Sequence, residues 1–361
     1  MIYRAYSGGK EIKDFYVGRK ETKEIWGGDT LLWEKEREDY GEFQFEYEYK
    51  IVIYIRGANI RIDWGDGTEE QCNWMSENLT QPARHKGKEN RLYIAKITGN
   101  IKYLGFNTEA NGGTTASVEY GYRNLTRVLT RFPKTMKDVE SFYYLFNYCE
   151  KLYDYPDDLF LNTPKLKEIR LGFRRTKITK ISHDLFKYTE NLEDVSSCFD
   201  STLITEIPRG FLKNKPRLSS VDGCFNATKI KAVPNDLFES CGNITSYNGL
   251  FSACKDLTRV EDGFGAKNNG TIINAQSMFY ECTNLEYVPS DLLNSANPYE
   301  KGGNFSYIFR LCKNLQNAPK LYERFPGLED MGQRTLYAYY MCEKLPWYDE
   351  IPRKWVDEYV S

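Results

Sequence analysis

A pattern that returns every 26 to 30 residues constrains this chain more than any other feature. Phe146, Phe173, Phe199, Phe225, Phe251, Phe279 and Phe309 follow one another at spacings of 27, 26, 26, 26, 28 and 30, and Tyr339 continues the series after a further 30. Around these anchors the text is regular, as in LEDVSSCFDSTLITEIPRGFL, LSSVDGCFNATKIKAVPNDLF and INAQSMFYECTNLEYVPSDLL. Each unit carries an apolar pair three apart, the anchor, a second such pair that often ends in Pro, and a final apolar pair. A unit this short cannot bury those residues alone, so the copies must stack into a solenoid of about eight turns.

The roles within a turn follow from the pattern. Leu166 and Ile169, Leu192 and Val195, Leu218 and Val221, and Ile244 and Tyr247 are expected to point inward from a short strand, with the anchor filling the corner. A second side is expected from pairs such as Ile204 and Ile207 or Leu285 and Val288, and Pro156, Pro208, Pro234, Pro289 and Pro319 end it because proline cannot donate to a ladder. Pairs such as Leu185 and Phe186 follow an Asp and are expected to form one helical turn. Five copies keep a cysteine three residues after the anchor (Cys149, Cys254, Cys282, Cys312, Cys342), and two place it just before the anchor (Cys198, Cys224). Nine cysteines is an odd number, so at least one is free of any internal disulfide. With one thiol per turn and no CxxC, free thiols packed beside the phenylalanines are expected, rather than zinc or disulfides.

The units SMFYECTNLEYVP, YLFNYCEKLYDYP and GLFSACKDLTRV resemble the Phe-x-x-Cys repeats of BspA-like leucine-rich-repeat proteins over roughly residues 125 to 345. Ahead of them, EFQFEYEYKIVIYIRG alternates as a strand does, and ANIRIDWGDGTEEQ runs from a strand into a Gly-rich turn. IDWGDGT followed by YIAKITGNI resembles the polycystic-kidney-disease (PKD) type of immunoglobulin-like sandwich, although the His-x-Tyr usual before its last hairpin is missing and only His85 stands near. Asp63 and Asp66 are the calcium candidates of that turn; such Asp residues more often bond the turn backbone. Residues 1–38 hold three apolar clusters, Phe15 to Val17, Ile25 with Trp26, and Leu31 to Trp33, separated by Gly and charge, which suggest a small strand meander. The phrase YVG…K.IWGGDTLLWEK is similar to short modules at the ends of tail and other virion proteins of phages from gut bacteria.

The expected architecture is mainly β with short helical turns: a small β module at 1–38, a PKD/immunoglobulin-like sandwich at 39–110, a BspA-like leucine-rich-repeat solenoid at 111–345, and a C-terminal cap at 346–361. Forty-nine basic residues against 51 acidic ones give no field for a polyphosphate backbone, so nucleic acid is not an expected partner. No apolar run reaches the 18 or so residues of a membrane helix, and the N-terminus shows no secretion signal, so neither membrane insertion nor export is expected. Two histidines, His85 and His183, are too few for the usual His-based sites, the acid pairs Asp157–Asp158 and Glu69–Glu70 need not converge, and no nucleophile-elbow, P-loop or HExxH motif occurs. Neither an enzyme nor a cofactor is expected.

The outward strand positions offer a polar face for a ligand: Lys167, Arg170, Asp194, Ser196, Ser220, Asp222, Ser246, Asn248, Asn274 and Gln276. A plain solvated face would look the same. The expected function is that of a structural or adhesion component of a bacteriophage particle (tail, fibre or capsid-decorating), binding a host-surface glycan or protein through the solenoid. It would be made in the host cytoplasm, located in the virion, attached to other virion proteins by the first module, and able to form a homo-oligomer. The alternative is a BspA-like adhesin on a bacterial cell surface.

Overall fold

The computed structural model describes residues 41–74, 81–106, 121–265 and 271–357, together with six short strands between residues 1 and 40. Contacts divide the chain into a unit of residues 1–40 and a unit of residues 41–361. In the first, three antiparallel hairpins follow one another: Tyr6–Ser7 (β1) with Lys10–Glu11 (β2), Phe15–Val17 (β3) with Lys20–Thr22 (β4), and Glu24–Gly27 (β5) with Thr30–Glu34 (β6). The three apolar clusters of the sequence fall on β3, β5 and β6.

The second unit starts with a six-stranded antiparallel sheet. Its strands are Glu42–Glu48 (β7), Lys50–Asp63 (β8), Glu69–Trp74 (β9), Gln81–Lys86 (β10), Leu92–Gly105 (β11) and Leu125–Val128 (β12), in the order β10-β8-β11-β7-β12, with β9 also on β8. Strict alternation buries Phe43, Phe45 and Tyr47 on β7 and Tyr93, Ala95 and Ile97 on β11. The two long strands shift register against each other near Asn59 and Gly99. Gly99 has a φ of 117°, and a Cβ there would lie 2.4 Å from the Asn59 carbonyl oxygen, so the crossing admits only glycine.

β12 belongs to two structures at once. One edge pairs with β7, while Val128 N donates to Asp154 O (3.0 Å) and Tyr153 N to Thr126 O (3.1 Å) on the other. It is therefore the first rung of the solenoid as well as the last strand of the sheet, and one hydrophobic cluster runs from Phe43 to Trp355.

From there the turns stack in parallel through single bridges, Ser141 to Glu168 to Asp194 to Ser220, and then Ser246 to Asn274 to Asn304. The second side adds Arg259 to Tyr287 to Asn317, with two-residue strands only at Ala232–Val233 (β13) and Arg259–Val260 (β14). The rungs are tied by alternate amides. The N–H groups of Ile169, Leu171, Phe173 and Arg175 donate to the carbonyls of Asp194, Ser196, Cys198 and Asp200 one turn on. Those of Gly172, Arg174 and Thr176 donate back within their own turn. A left-handed residue two places before and two places after every anchor produces the alternation, with φ between 51° and 68° in all eight turns. Only Gly223 and Gly249 among these are glycines, so fourteen other side chains are held where each costs about 1–2 kcal/mol. The cooperative ladder offsets that cost, and it also keeps extended stretches short. Overall the chain is mainly β with short turns; the longest α-helical piece among the described residues is Leu321–Arg324 (α1).

The anchors form the core's axis. Phe173, Phe199, Phe225, Phe251, Phe279 and Phe309 are fully buried and stack at centroid distances of 5.6 to 5.8 Å with interplanar angles of 4° to 16°. Phe106 extends the spine into the sheet, 5.6 Å from Phe146 and 5.1 Å from Phe45. At the far end Tyr339 meets Trp347 (5.5 Å) and Trp355 (6.3 Å).

Eight cysteines are buried and unbonded; Cys72 lies outside the described side chains. Each Sγ of Cys254, Cys282, Cys312 and Cys342 donates to the carbonyl of the preceding turn's anchor at 3.0–3.1 Å. In the turns that lack this cysteine, Thr176, Thr202 and Thr228 stand in its place and donate to their own anchor's carbonyl at 2.8–2.9 Å. The position therefore selects a small side chain with a donor, and a hydroxyl introduced at Cys282 would find an acceptor. Burial pushes the thiols of Cys241 and Cys254 up to about 11. An unfolded chain would lose these protons near pH 8.5, about the ordinary value, so their contribution to stability is complete below that pH and is lost as pH rises toward 11. Urea titrations at increasing pH should show the midpoint falling over that window, and a thiol reagent should react with the native chain's buried cysteines only after denaturation. Full labelling of native protein at pH 8 would contradict the buried assignment.

Candidate binding face of the solenoid

Because the turns are in register, equal positions relative to the anchor form columns along the solenoid. Five residues before the anchor lie Ser141, Glu168, Asp194, Ser220, Ser246, Asn274 and Asn304; three before it lie Tyr143, Arg170, Ser196, Asp222, Asn248, Gln276 and Ser306. Nine of the ten residues singled out from the sequence fall in these two columns, and Lys167 lies beside them, paired with Glu140 at 2.7 Å.

Much of their hydrogen-bonding capacity is used within the face. Asp194 Oδ1 accepts from Ser196 N (2.7 Å), Ser246 Oγ from Asn248 N (3.2 Å), Asn274 Oδ1 from Gln276 N (2.9 Å), and Asn304 Oδ1 from Ser306 N (2.8 Å). These are turn-closing contacts of the kind short polar side chains make two residues ahead. Across turns, Ser196 and Ser220 hydroxyls meet at 2.6 Å, Asn248 N reaches Asp222 Oδ1 at 3.1 Å, and Asn304 Nδ2 reaches Gln276 Oε1 at 3.2 Å. Asp222 is half-buried; desolvation raises its carboxyl pKa against the hydrogen bonds from Ser246 and Asn248. The columns thus shape the backbone as well as present polar groups, and substituting them is expected to lower stability.

Beside them, the positions around the anchor, from three before it to two after, carry tyrosines and arginines at both ends of the solenoid, above all in the columns two before and one after. Near the sheet, Tyr143 and Tyr144 rings lie 4.0 Å apart, Arg170 sits over Tyr143 (5.6 Å), and Arg174 and Arg175 sit over Tyr148 (5.3 and 4.7 Å). Toward the other end stand Tyr280, Tyr307, Arg310, Tyr337 and Tyr340. Between the two groups the residues are small: Ser197, Gly223, Gly249 and Ser277 in one column, Asn226 and Ser252 in the other. Of these two groups only Arg170 was among the residues singled out from the sequence; the second group is spread over three turns, with Tyr280, Arg310 and Tyr340 spaced 30 residues apart and Tyr307 and Tyr337 likewise 30 apart. Writing the turns in register would have shown them as neighbours.

The second side of the solenoid carries an open cleft of about 370 Å³ lined by Thr205, Glu206, Ile207, Arg209, Lys231, Ala232, Pro234 and Glu261. Arg209 in it is paired with Glu261 at 2.5 Å, and Glu261 also accepts from Asn235 N at 3.1 Å.

In the WGDGT turn the carboxylates bond the backbone. Asp63 Oδ1 accepts from Gly65 N (2.9 Å), and Asp66 Oδ1 from Thr68 N (3.0 Å) and Thr68 Oγ1 (2.5 Å), which hold its carboxyl below the usual range. The other Asp66 oxygen faces His85 Nε2 at 3.1 Å, and His85 Nδ1 faces the Tyr47 hydroxyl at 2.7 Å, with that hydroxyl donating to Trp64 O at 2.9 Å. His85 stacks on Trp64 at 5.1 Å and, like Asp66, is nearly buried. The histidine near the turn thus closes a structural network. Among the described residues no three His, Cys, Asp or Glu side chains gather as metal ligands. The acid pairs are also engaged: Asp158 bonds Arg131 at 2.9 Å, and Glu69 bonds Arg61 at 2.5 Å. No helix among the described residues is long and apolar enough to cross a membrane.

What the stacked turns define is a repeat solenoid, and its turn length is compatible with the leucine-rich-repeat type. No known protein family and no curated protein matches the chain. Among solved structures, the chain is similar to one in the Toll–Spätzle complex, described as a molecular hub in Drosophila development and innate immunity, with 13% identity and a TM-score of 0.22. The likeness covers 55% of this chain and 33% of that one, so this chain matches about a third of its length, and at that TM-score no argument rests on it.

Proposed function

We propose that the chain is a recognition protein of a bacteriophage particle, a tail, fibre or capsid-decorating component that binds a host-surface glycan or protein through its solenoid. The observation that carries the binding role is the single face on which polar columns run beside two tyrosine–arginine groups, since tyrosine and arginine supply large contact area with polar tips. The particle assignment draws on the likeness of YVG…K.IWGGDTLLWEK to virion modules, which would join the chain to other structural proteins. The Phe-x-x-Cys repeats taken alone favour a bacterial surface adhesin of the BspA type.

Two measurements separate these readings. Mass spectrometry of purified particles from a producing culture should find the chain as a stoichiometric component, and purified full-length chain should compete with particles for adsorption to host cells. Presence on the bacterial surface together with absence from particles would favour the adhesin. Failure to compete would remove the recognition role.

A further inference from the structure

Among the described residues, Arg310 is a cation without a counter-charge. It lies one residue after its anchor, in a column where the next turn on contributes Tyr340 and the preceding turn Tyr280. Its guanidinium sits 4.6 Å from the ring centroid of Tyr337, 5.5 Å from those of Tyr307 and Tyr340, and 5.8 Å from that of Tyr280. Tyr307 and Tyr337 stack at 5.8 Å, and Tyr337 meets Tyr340 edge-on at 5.3 Å, so the group is held by its own packing.

The same column holds a contrasting case. Arg174 donates its Nε to Asp200 one turn on, at 2.8 Å, and so has its acid built in. Around Arg310 the ladder supplies tyrosines instead. Its guanidinium forms no hydrogen bond or ion pair among the described residues, and its Nε is buried without a partner. The carboxylate on the neighbouring turn, Glu281, bonds the Tyr280 hydroxyl. Ring faces attract the cation and fix it, yet they use none of its five donors. A half-buried guanidinium with its donors unspent is therefore fitted to a planar anion, which it can grip through two parallel hydrogen bonds.

We propose that Arg310 with Tyr280, Tyr307, Tyr337 and Tyr340 forms a subsite for a carboxylated sugar, whose carboxylate takes the guanidinium fork while its C–H face lies on a tyrosine ring. A sugar acid carries both features within one ring, which suits a compact site drawn from three successive turns. An acidic peptide brings several charges on flexible stems, whereas the tyrosine group here surrounds one guanidinium. The inference rests on the solenoid being the binding element and names one class of ligand for it.

The test is calorimetric titration of the full-length chain with trigalacturonate, set against maltotriose and hexaglutamate. Trigalacturonate should bind, more weakly as salt rises, and maltotriose should bind far less. Arg310→Gln should weaken trigalacturonate about tenfold or more, the loss of a charge-assisted pair. Arg310→Lys, which keeps stem and charge, should weaken it as well because the fork is gone. Melting curves check that both variants are folded. Absence of trigalacturonate binding, unchanged affinity in either folded variant, or equal binding of hexaglutamate would overturn the proposal. Competition by the full chain for particle adsorption is read separately, so the recognition role can stand when this subsite falls.

Discussion

Phe225→Ala should destabilise the chain by about 3–5 kcal/mol, the usual cost of emptying a fully packed aromatic position. The ring lies between Phe199 and Phe251, 5.8 Å from each and within 12° of parallel to both, so its loss leaves a gap that two turns border. The flanking turns cannot close over it freely, since Phe225 N donates to Leu250 O at 3.0 Å and Phe199 N to Cys224 O at 2.9 Å, which fix their spacing. Urea unfolding should show the loss, and amide exchange should rise in the turns on both sides. A midpoint within experimental error of the parent would remove Phe225 from the axis of the core.

Trp355→Ala should have an effect of similar size, about 3–5 kcal/mol, through a different route. Trp355 is fully buried, its carbonyl accepts from Tyr339 N (3.0 Å), and the neighbouring Lys354 carbonyl accepts from Thr335 Oγ1 (3.2 Å). These contacts stand where a ninth turn would otherwise be needed. Stacked repeats depend on such terminal covers, because the last rung has no successor to satisfy its amides. The variant should therefore fray from this end: exchange at Tyr339 and Phe309 should accelerate well before that at Phe173. Equal acceleration along the whole solenoid would show that the cover is not local.

The repeat spacing, the inward pairs and the anchors are all readable in the sequence because burial acts on side-chain type, and one unit after another shows the same apolar positions. The backbone conformation that sets the rungs is not readable, since Tyr144, Leu171, Ser197 and Glu281 occupy left-handed positions that a glycine would ordinarily mark. Gly223 and Gly249 were the only local hints. The outward columns were found as polar positions, but their turn-closing role depends on which N–H each oxygen faces, and the spacing Asp194-x-Ser196 was the available sign of it. His85 stood near the WGDGT turn in the sequence, whereas its contact with Tyr47 and Asp66 comes from two strands and a turn converging. Arg310 escaped notice because its surroundings are assembled from three turns, each unremarkable alone.

The columns also make the face a ruler. Neighbouring rungs lie about 4.8 Å apart, the spacing of hydrogen-bonded strands. The tyrosine–arginine groups around the Phe146 and Phe309 turns are six rungs apart, so a distance on the order of 30 Å separates them. Inserting or deleting one whole turn among the small-residue turns between them would change that distance by a single rung and leave each group intact. The reach between the two ends of the face is thus set in discrete steps by the number of turns, independently of the chemistry at either end.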